Sequence, residues 1–246
     1  MRVLFSWRLV PLLIANLFSI LLFSSLFFEP GHSFWTYWDN IFFWRVNQSL
    51  AWGESWCWFW AITNNRLFDV LSAGFIGFLY LHNTLRTRES DWALHLTRFL
   101  VIAMLALLMV QLGKALPIEK LSPTSLYPEA LRLSELVREI ATKDSSGDSF
   151  PGDHGVALFI FAGGACIYLP AGQRIAVVLA SLFFAMPRLV SGAHWLSDVL
   201  VGAVSLGVLG LAWFLFTPIR SLTDLRFVPL LAHWIQRLTS GATQKK

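Results

Sequence analysis

Arg188, His194 and Asp198 stand within an eleven-residue stretch, and His154 lies forty positions before His194. A spacing of four puts His194 and Asp198 on one face if they share a helix. A carboxylate on one imidazole nitrogen fixes the tautomer and raises the basicity of the other. His194 can then attack phosphorus while His154 gives a proton to the leaving oxygen. Arg188 can grip a phosphoryl group through two parallel hydrogen bonds, and Lys114 or Lys120 can add point charge. Around His154 the chain reads Pro151-Gly152-Asp153-His154-Gly155. A glycine-rich entry into a helix offers an anion free N–H groups and the positive end of the dipole. Gly152 and Gly155 are therefore candidate phosphate-binding residues. This chemistry is phosphoryl transfer, and it needs neither a metal nor a cofactor.

Plainer readings compete at several positions. Lys114 could merely snorkel to a membrane interface. Asp153 would repel phosphate unless protonated or paired with a lysine such as Lys143, and it could equally cap a helix. His154, His194, Asp153 and Asp198 could also supply metal ligands, but the arginine and lysines around them would repel a cation. His32, His82, His95 and His233 read as polar residues at headgroup level.

The elements that must position these groups are membrane helices. The 246 residues are 56% hydrophobic, 15% aromatic and 14% charged, with a mean hydropathy of +0.59. Soluble domains carry about 25% charged residues, so a soluble enzyme, a disordered chain and a nucleic-acid-binding protein are all disfavoured. No basic stripe interleaved with aromatics accompanies the net charge of +4. The fold expected is an all-α integral membrane protein, one domain over 1–246, with six transmembrane helices. The spans fall at about 9–28, 65–81, 97–113, 154–169, 174–188 and 194–216. A crossing needs about 20 apolar residues.

An even number of spans leaves both termini on one side. Eleven of the nineteen Lys and Arg lie at the N-terminus, in the 82–98 loop, in the 170–174 turn and in the 217–246 tail. The positive-inside rule makes that side cytoplasmic. The opposite side then carries the loops 29–64 and 114–153, and Lys114 with Lys120, the Pro151–Gly155 segment and the stretch from Arg188 to Asp198 all lie at that end. Seven tryptophans between Trp35 and Trp60 suggest a loop lying in the headgroup layer. Within 129–140, Leu133, Leu136, Val137 and Ile140 follow helical spacing and predict a short interfacial helix.

Arg188-x5-His194-x3-Asp198 resembles the third signature of the type 2 phosphatidic acid phosphatase (PAP2) superfamily. The superfamily's second signature, Pro-Ser-Gly-His, reads Pro151-Gly152-Asp153-His154 here. Its first, Lys-x6-Arg-Pro, begins at Lys114 but meets Leu121 at the arginine position, with Lys120 beside it and Pro123 one residue late. The strings Thr63-Asn64-Asn65-Arg66, Lys143-Asp144, Asp148 to Gly155 and Gly192-Ala193-His194-Trp195 are similar to one bacterial branch. That resemblance implies a PAP2-like helical bundle in the bacterial inner membrane, with a periplasmic interfacial helix and a periplasmic active site. It implies undecaprenyl diphosphate as donor, lipid A as acceptor and a phosphohistidine at His194. Lipid phosphatase activity, with water as acceptor, would use the same catalytic residues. A transporter or a non-catalytic lipid-binding protein is the third reading. Against it, the ionisable groups cluster at one face instead of lining a path at the bilayer midplane. No protein partner is indicated.

Overall fold

The computed structural model describes residues 6–82 and 89–243. In order, the helices are α1 (Leu9–Ser24), α2 (Gly31–Asn47), α3 (Glu54–Thr63), α4 (Arg66–Leu81) and α5 (Glu89–Lys114). Two single turns follow, α6 (Pro123–Leu126) and α7 (Leu133–Leu136), then α8 (Asp153–Tyr168) and α9 (Ala171–Val190). A π-helical stretch, Asp198–Ala203, runs into α10 (Val204–Phe216), and α11 (Pro218–Leu222) and α12 (Val228–Thr243) close the chain. Among the described residues the β-structure is a single bridge between Asn65 and Thr142.

Among the described residues, three stretches are long and apolar enough to cross a membrane: Trp92–Lys114, Ala171–Val190 and Asp198–Phe216. α1 and α8 are apolar but shorter. α5, α8 and α10 meet around Ile102, Ala106, Val156, Ile160 and Leu206. α4 and α9 join them through Ile76, Tyr80, Ala165 and Val177. The outside of this bundle is also apolar. Leu9, Val10, Leu13 and Ile14 of α1, Met104, Leu107 and Leu108 of α5, and Ile175, Leu179 and Leu182 of α9 are exposed. In water each would forgo about 1.5–3 kcal/mol of burial, which a hydrocarbon environment removes as a cost.

Three expectations change shape. The tryptophan-rich stretch 29–64 is mostly helical, as α2 and α3, and part of it faces inward. Trp60 and Cys57 pack on Leu50, Leu133, Val137 and Val190. The interfacial helix expected within 129–140 is only the turn α7, because Leu133 and Val137 are fully buried against α3. A longer amphipathic helix would have aimed that face at lipid. α1 also stops short of 28. The Ser25 hydroxyl donates to the Leu22 carbonyl at 2.6 Å and accepts from the Trp35 indole at 2.8 Å, so the chain turns there into α2. Arg2, Arg86, Arg88, Lys245 and Lys246, which contribute to the expected orientation, lie outside the described residues.

Candidate active site

His194 sits in the turn that joins α9 to the π-helical stretch, not on a helix with Asp198. Gly192 makes the turn possible. Its φ is +76°, and a Cβ there would lie 2.6 Å from Thr124 Cγ2, so a side chain is excluded on both counts. The backbone N–H groups of Ala193 and His194 donate to the Arg188 carbonyl at 3.1 and 3.2 Å. That closure presses His194 against the end of α9. Its Nδ1 lies 2.6 Å from the Ser149 carbonyl and 3.7 Å from Asp198 Oδ2. A hydrogen bond reaches the first and not the second. A carbonyl can only accept, so Nδ1 carries the proton and Nε2 carries the lone pair in the neutral ring. The expected carboxylate–imidazole pair is thus replaced by a carbonyl as the orienting group, with Asp198 acting as a nearby charge.

Asp198 is fully buried and already engaged elsewhere. Its Oδ2 accepts from the Trp195 backbone N–H at 2.8 Å, and its Oδ1 receives the Lys120 ammonium at 2.9 Å. Lys120 also donates to Ser197 Oγ at 2.8 Å and reaches Asp39 Oδ2 at 3.4 Å. Asp39 accepts in turn from Ser197 N–H at 2.7 Å and Ser197 Oγ–H at 2.6 Å. Burial pushes the Asp39 carboxyl above its ordinary value, and the Lys120 charge only partly offsets this. Lys120, expected at the phosphate, is held by Asp198, Ser197 and Asp39 and also lines a cleft. Asp39, on α2, was hidden within the tryptophan belt.

Arg188 is 4% exposed. One arm of its guanidinium donates to Asn64 Oδ1 at 2.5 Å, and the other to Asp69 Oδ2 at 2.6 Å. The same Asp69 oxygen is 3.3 Å from His154 Nε2. Asp69 was missed, although it lies four residues into a predicted span, where an ionisable group is costly and by default functional. The local sequence accounts for its position. Asn65 caps α4, accepting from the Leu67 N–H at 2.7 Å, and Asp69 falls in the first turn, where the dipole favours a negative charge. Asn64 extends the network by donating to the Lys143 carbonyl at 2.8 Å.

Gly152 precedes α8 with a φ of +78°. Gly155 faces Ala203 of the π-helical stretch, so it serves the packing of α8. Asp153 pairs with Lys114 at 3.1 Å, not with Lys143, whose side chain is exposed and whose carbonyl holds Asn64. Both partners of the Lys114–Asp153 pair are more than a third exposed, so it contributes at most about 1 kcal/mol. A cleft of about 310 Å³ opens beside Lys120 and Asp39, walled by Leu26, Phe27 and Phe150. A larger one, about 580 Å³ along Trp44, Gln48 and Trp52, holds none of the residues described above.

Two histidines, 3.3 and 3.7 Å from an aspartate oxygen, with each aspartate paired with a cation, thus converge at one end of an apolar helical bundle. The PAP2 superfamily model matches residues 120–221, which include Lys120, His154, Arg188, His194 and Asp198 and leave out Asp39, Asn64 and Asp69. The chain belongs to the PAP2 superfamily and is an enzyme of its phosphotransferase and phosphatase class. Over 213 residues it is 35% identical to the lipid A 1-diphosphate synthase of Escherichia coli (strain K12), which covers 86% of this chain and 90% of that protein. No solved structure matches it.

Proposed function

We propose that this chain moves the distal phosphate of undecaprenyl diphosphate to the 1-phosphate of lipid A through a phosphohistidine at His194. The observation that carries the reading is the His194 ring. Its Nδ1 is tied to the Ser149 carbonyl at 2.6 Å, which leaves Nε2 as the nucleophilic nitrogen. In the first step Nε2 attacks the distal phosphorus. The bond from that phosphorus to the bridging oxygen breaks, and undecaprenyl phosphate departs with a proton from His154. In the second, an oxygen of the lipid A 1-phosphate attacks phosphorus and the P–N bond breaks. His154 takes the acceptor's proton, and both rings return to their starting state. Arg188 and the N-terminus of α8, with Gly152 and Asp153 at its start, face the phosphoryl group in this scheme, and Gly155 lets α8 pack closely enough to hold that end in place. Lys114 and Lys143 add positive charge at its rim.

α1, α4 and α8 cross the bilayer with the three longer helices in this reading. Both termini are then cytoplasmic, and the site faces the periplasm from the inner membrane. The similarity to a lipid A 1-diphosphate synthase and the apolar walls of the cleft beside Lys120 support a lipid acceptor over water. The deciding experiment uses purified protein and undecaprenyl diphosphate labelled on its distal phosphate, with and without lipid A. Label on lipid A that disappears in His194→Ala supports transfer. Label released only as inorganic phosphate makes the enzyme a lipid phosphatase.

A further inference from the structure

Each histidine of the site stands beside an aspartate, and each aspartate is held by a cation. His194 has Asp198 and Lys120, with Asp198 Oδ1 on the Lys120 ammonium at 2.9 Å. His154 has Asp69 and Arg188, with one carboxylate oxygen 2.6 Å from the guanidinium and 3.3 Å from Nε2. We infer that Asp69 is the positioning residue for His154 in phosphoryl transfer, fixing that ring as the proton donor while Arg188 holds the carboxylate in place. The inference rests on the phosphohistidine reading above. It adds to that reading a residue on α4, outside the stretch matched to the superfamily.

Geometry and charge both support it. His154 is on the first turn of α8 with a side chain 43% exposed, and a ring so placed is free to turn unless something holds it. Asp69 comes from a different helix, and the Asn65 cap and Arg188 fix its place. An ionised carboxylate accepts and does not donate, so His154 Nε2 keeps its proton. The proton passed to the leaving oxygen therefore departs from Nδ1, and the same nitrogen takes one back from the acceptor phosphate. Asp69 stays ionised throughout, and no electrons are exchanged.

The test follows consumption of the labelled donor diphosphate by the full-length protein in detergent, whichever acceptor receives the phosphate. Asp69→Asn is expected to lower kcat by about 10²-fold, the low end for loss of a proton-transferring group, with KM changed less than about threefold. Asp69→Glu should recover part of that loss. In a His154→Gln background, adding Asp69→Asn should cost less than about twofold more, because the two residues act as one unit. If Asp69→Asn does not fold, Asp69→Glu completes the same cycle. Losses that multiply in the double variant would overturn the role. So would an Asp69→Asn enzyme with unchanged kcat and about tenfold tighter inhibition by inorganic phosphate, since Asp69 would then only fill the anion's place. A wild-type protein that consumes no donor removes the proposed function and this role together, whereas an active wild type with multiplying losses removes the role alone.

Discussion

His194 and Lys120 show how little a residue type says until its partners are known. Both were expected at the phosphate, one as nucleophile and one as a positive charge. His194 is held by a backbone carbonyl, and Lys120 by two carboxylates and a serine. His194→Gln should abolish transfer and leave no acid-labile phosphate on the protein, read by trapping labelled intermediate. His154→Gln should still fold, with kcat lowered by about 10² to 10⁴-fold. Lys120→Met leaves Asp198 buried without its cation and should cost about 3–5 kcal/mol, read as a large fall in melting temperature. An intact melting temperature with a raised KM would return Lys120 to the phosphate. Asp39→Asn should behave differently. Burial raises the Asp39 pKa, so Asp39 supports the fold most when protonated and loses that support as pH rises past the ordinary carboxylate value near 4. Asparagine keeps an acceptor for the Ser197 N–H and can donate its amide N–H to the Ser197 hydroxyl instead of accepting from it. The stability advantage of wild type over Asp39→Asn should therefore shrink as pH rises above about 4, as followed by thermal melts across pH.

At the scale of elements, two local features aim the site. The α4 cap sets where Asp69 falls, and the Gly192 turn sets where His194 falls. Asn65→Ala removes the acceptor for Leu67 N–H and should cost about 1 kcal/mol. Asn65→Asp retains the acceptor but loses the donor to the Ala141 carbonyl at 3.3 Å, so it should fall between wild type and Asn65→Ala in the same melt. Gly192→Ala places a Cβ against Thr124 at a φ of +76° and should cost about 1–3 kcal/mol. Since that turn carries His194, kcat should fall further than stability alone predicts, which activity normalised to folded protein would show. The long apolar stretches were legible as helices because their composition has one dominant requirement. α2, α3 and α7 were not, because in them Trp60, Leu133 and Val137 serve a core whose partners lie far away in the chain.

At the scale of the whole molecule, the reading stands on which end of the bundle faces out. In a chain with Cys57 and Cys166 replaced by alanine, Gly147→Cys lies in the exposed loop beside the site, and Gly172→Cys lies at the start of α9. An impermeant thiol reagent added to whole periplasm-accessible cells should label Gly147→Cys and reach Gly172→Cys only after permeabilisation. The reverse pattern would turn the protein over and move the site to the cytoplasm.

The linear chain already contained the membrane character and the candidate set for phosphoryl transfer. Both depend on residue type and short spacing: a deficit of charge, an arginine, two histidines and an aspartate in family-like order. The folded bundle supplied the pairings. Asp69 reaches Arg188 from 119 positions away, Asp39 reaches Ser197 from 158, and Ser149 reaches His194 from 45. Such contacts have no periodic trace along a chain. They arise because burying an ion or a polar N–H is costly without a partner, and the partner is whatever the packing of separate helices brings within about 3 Å.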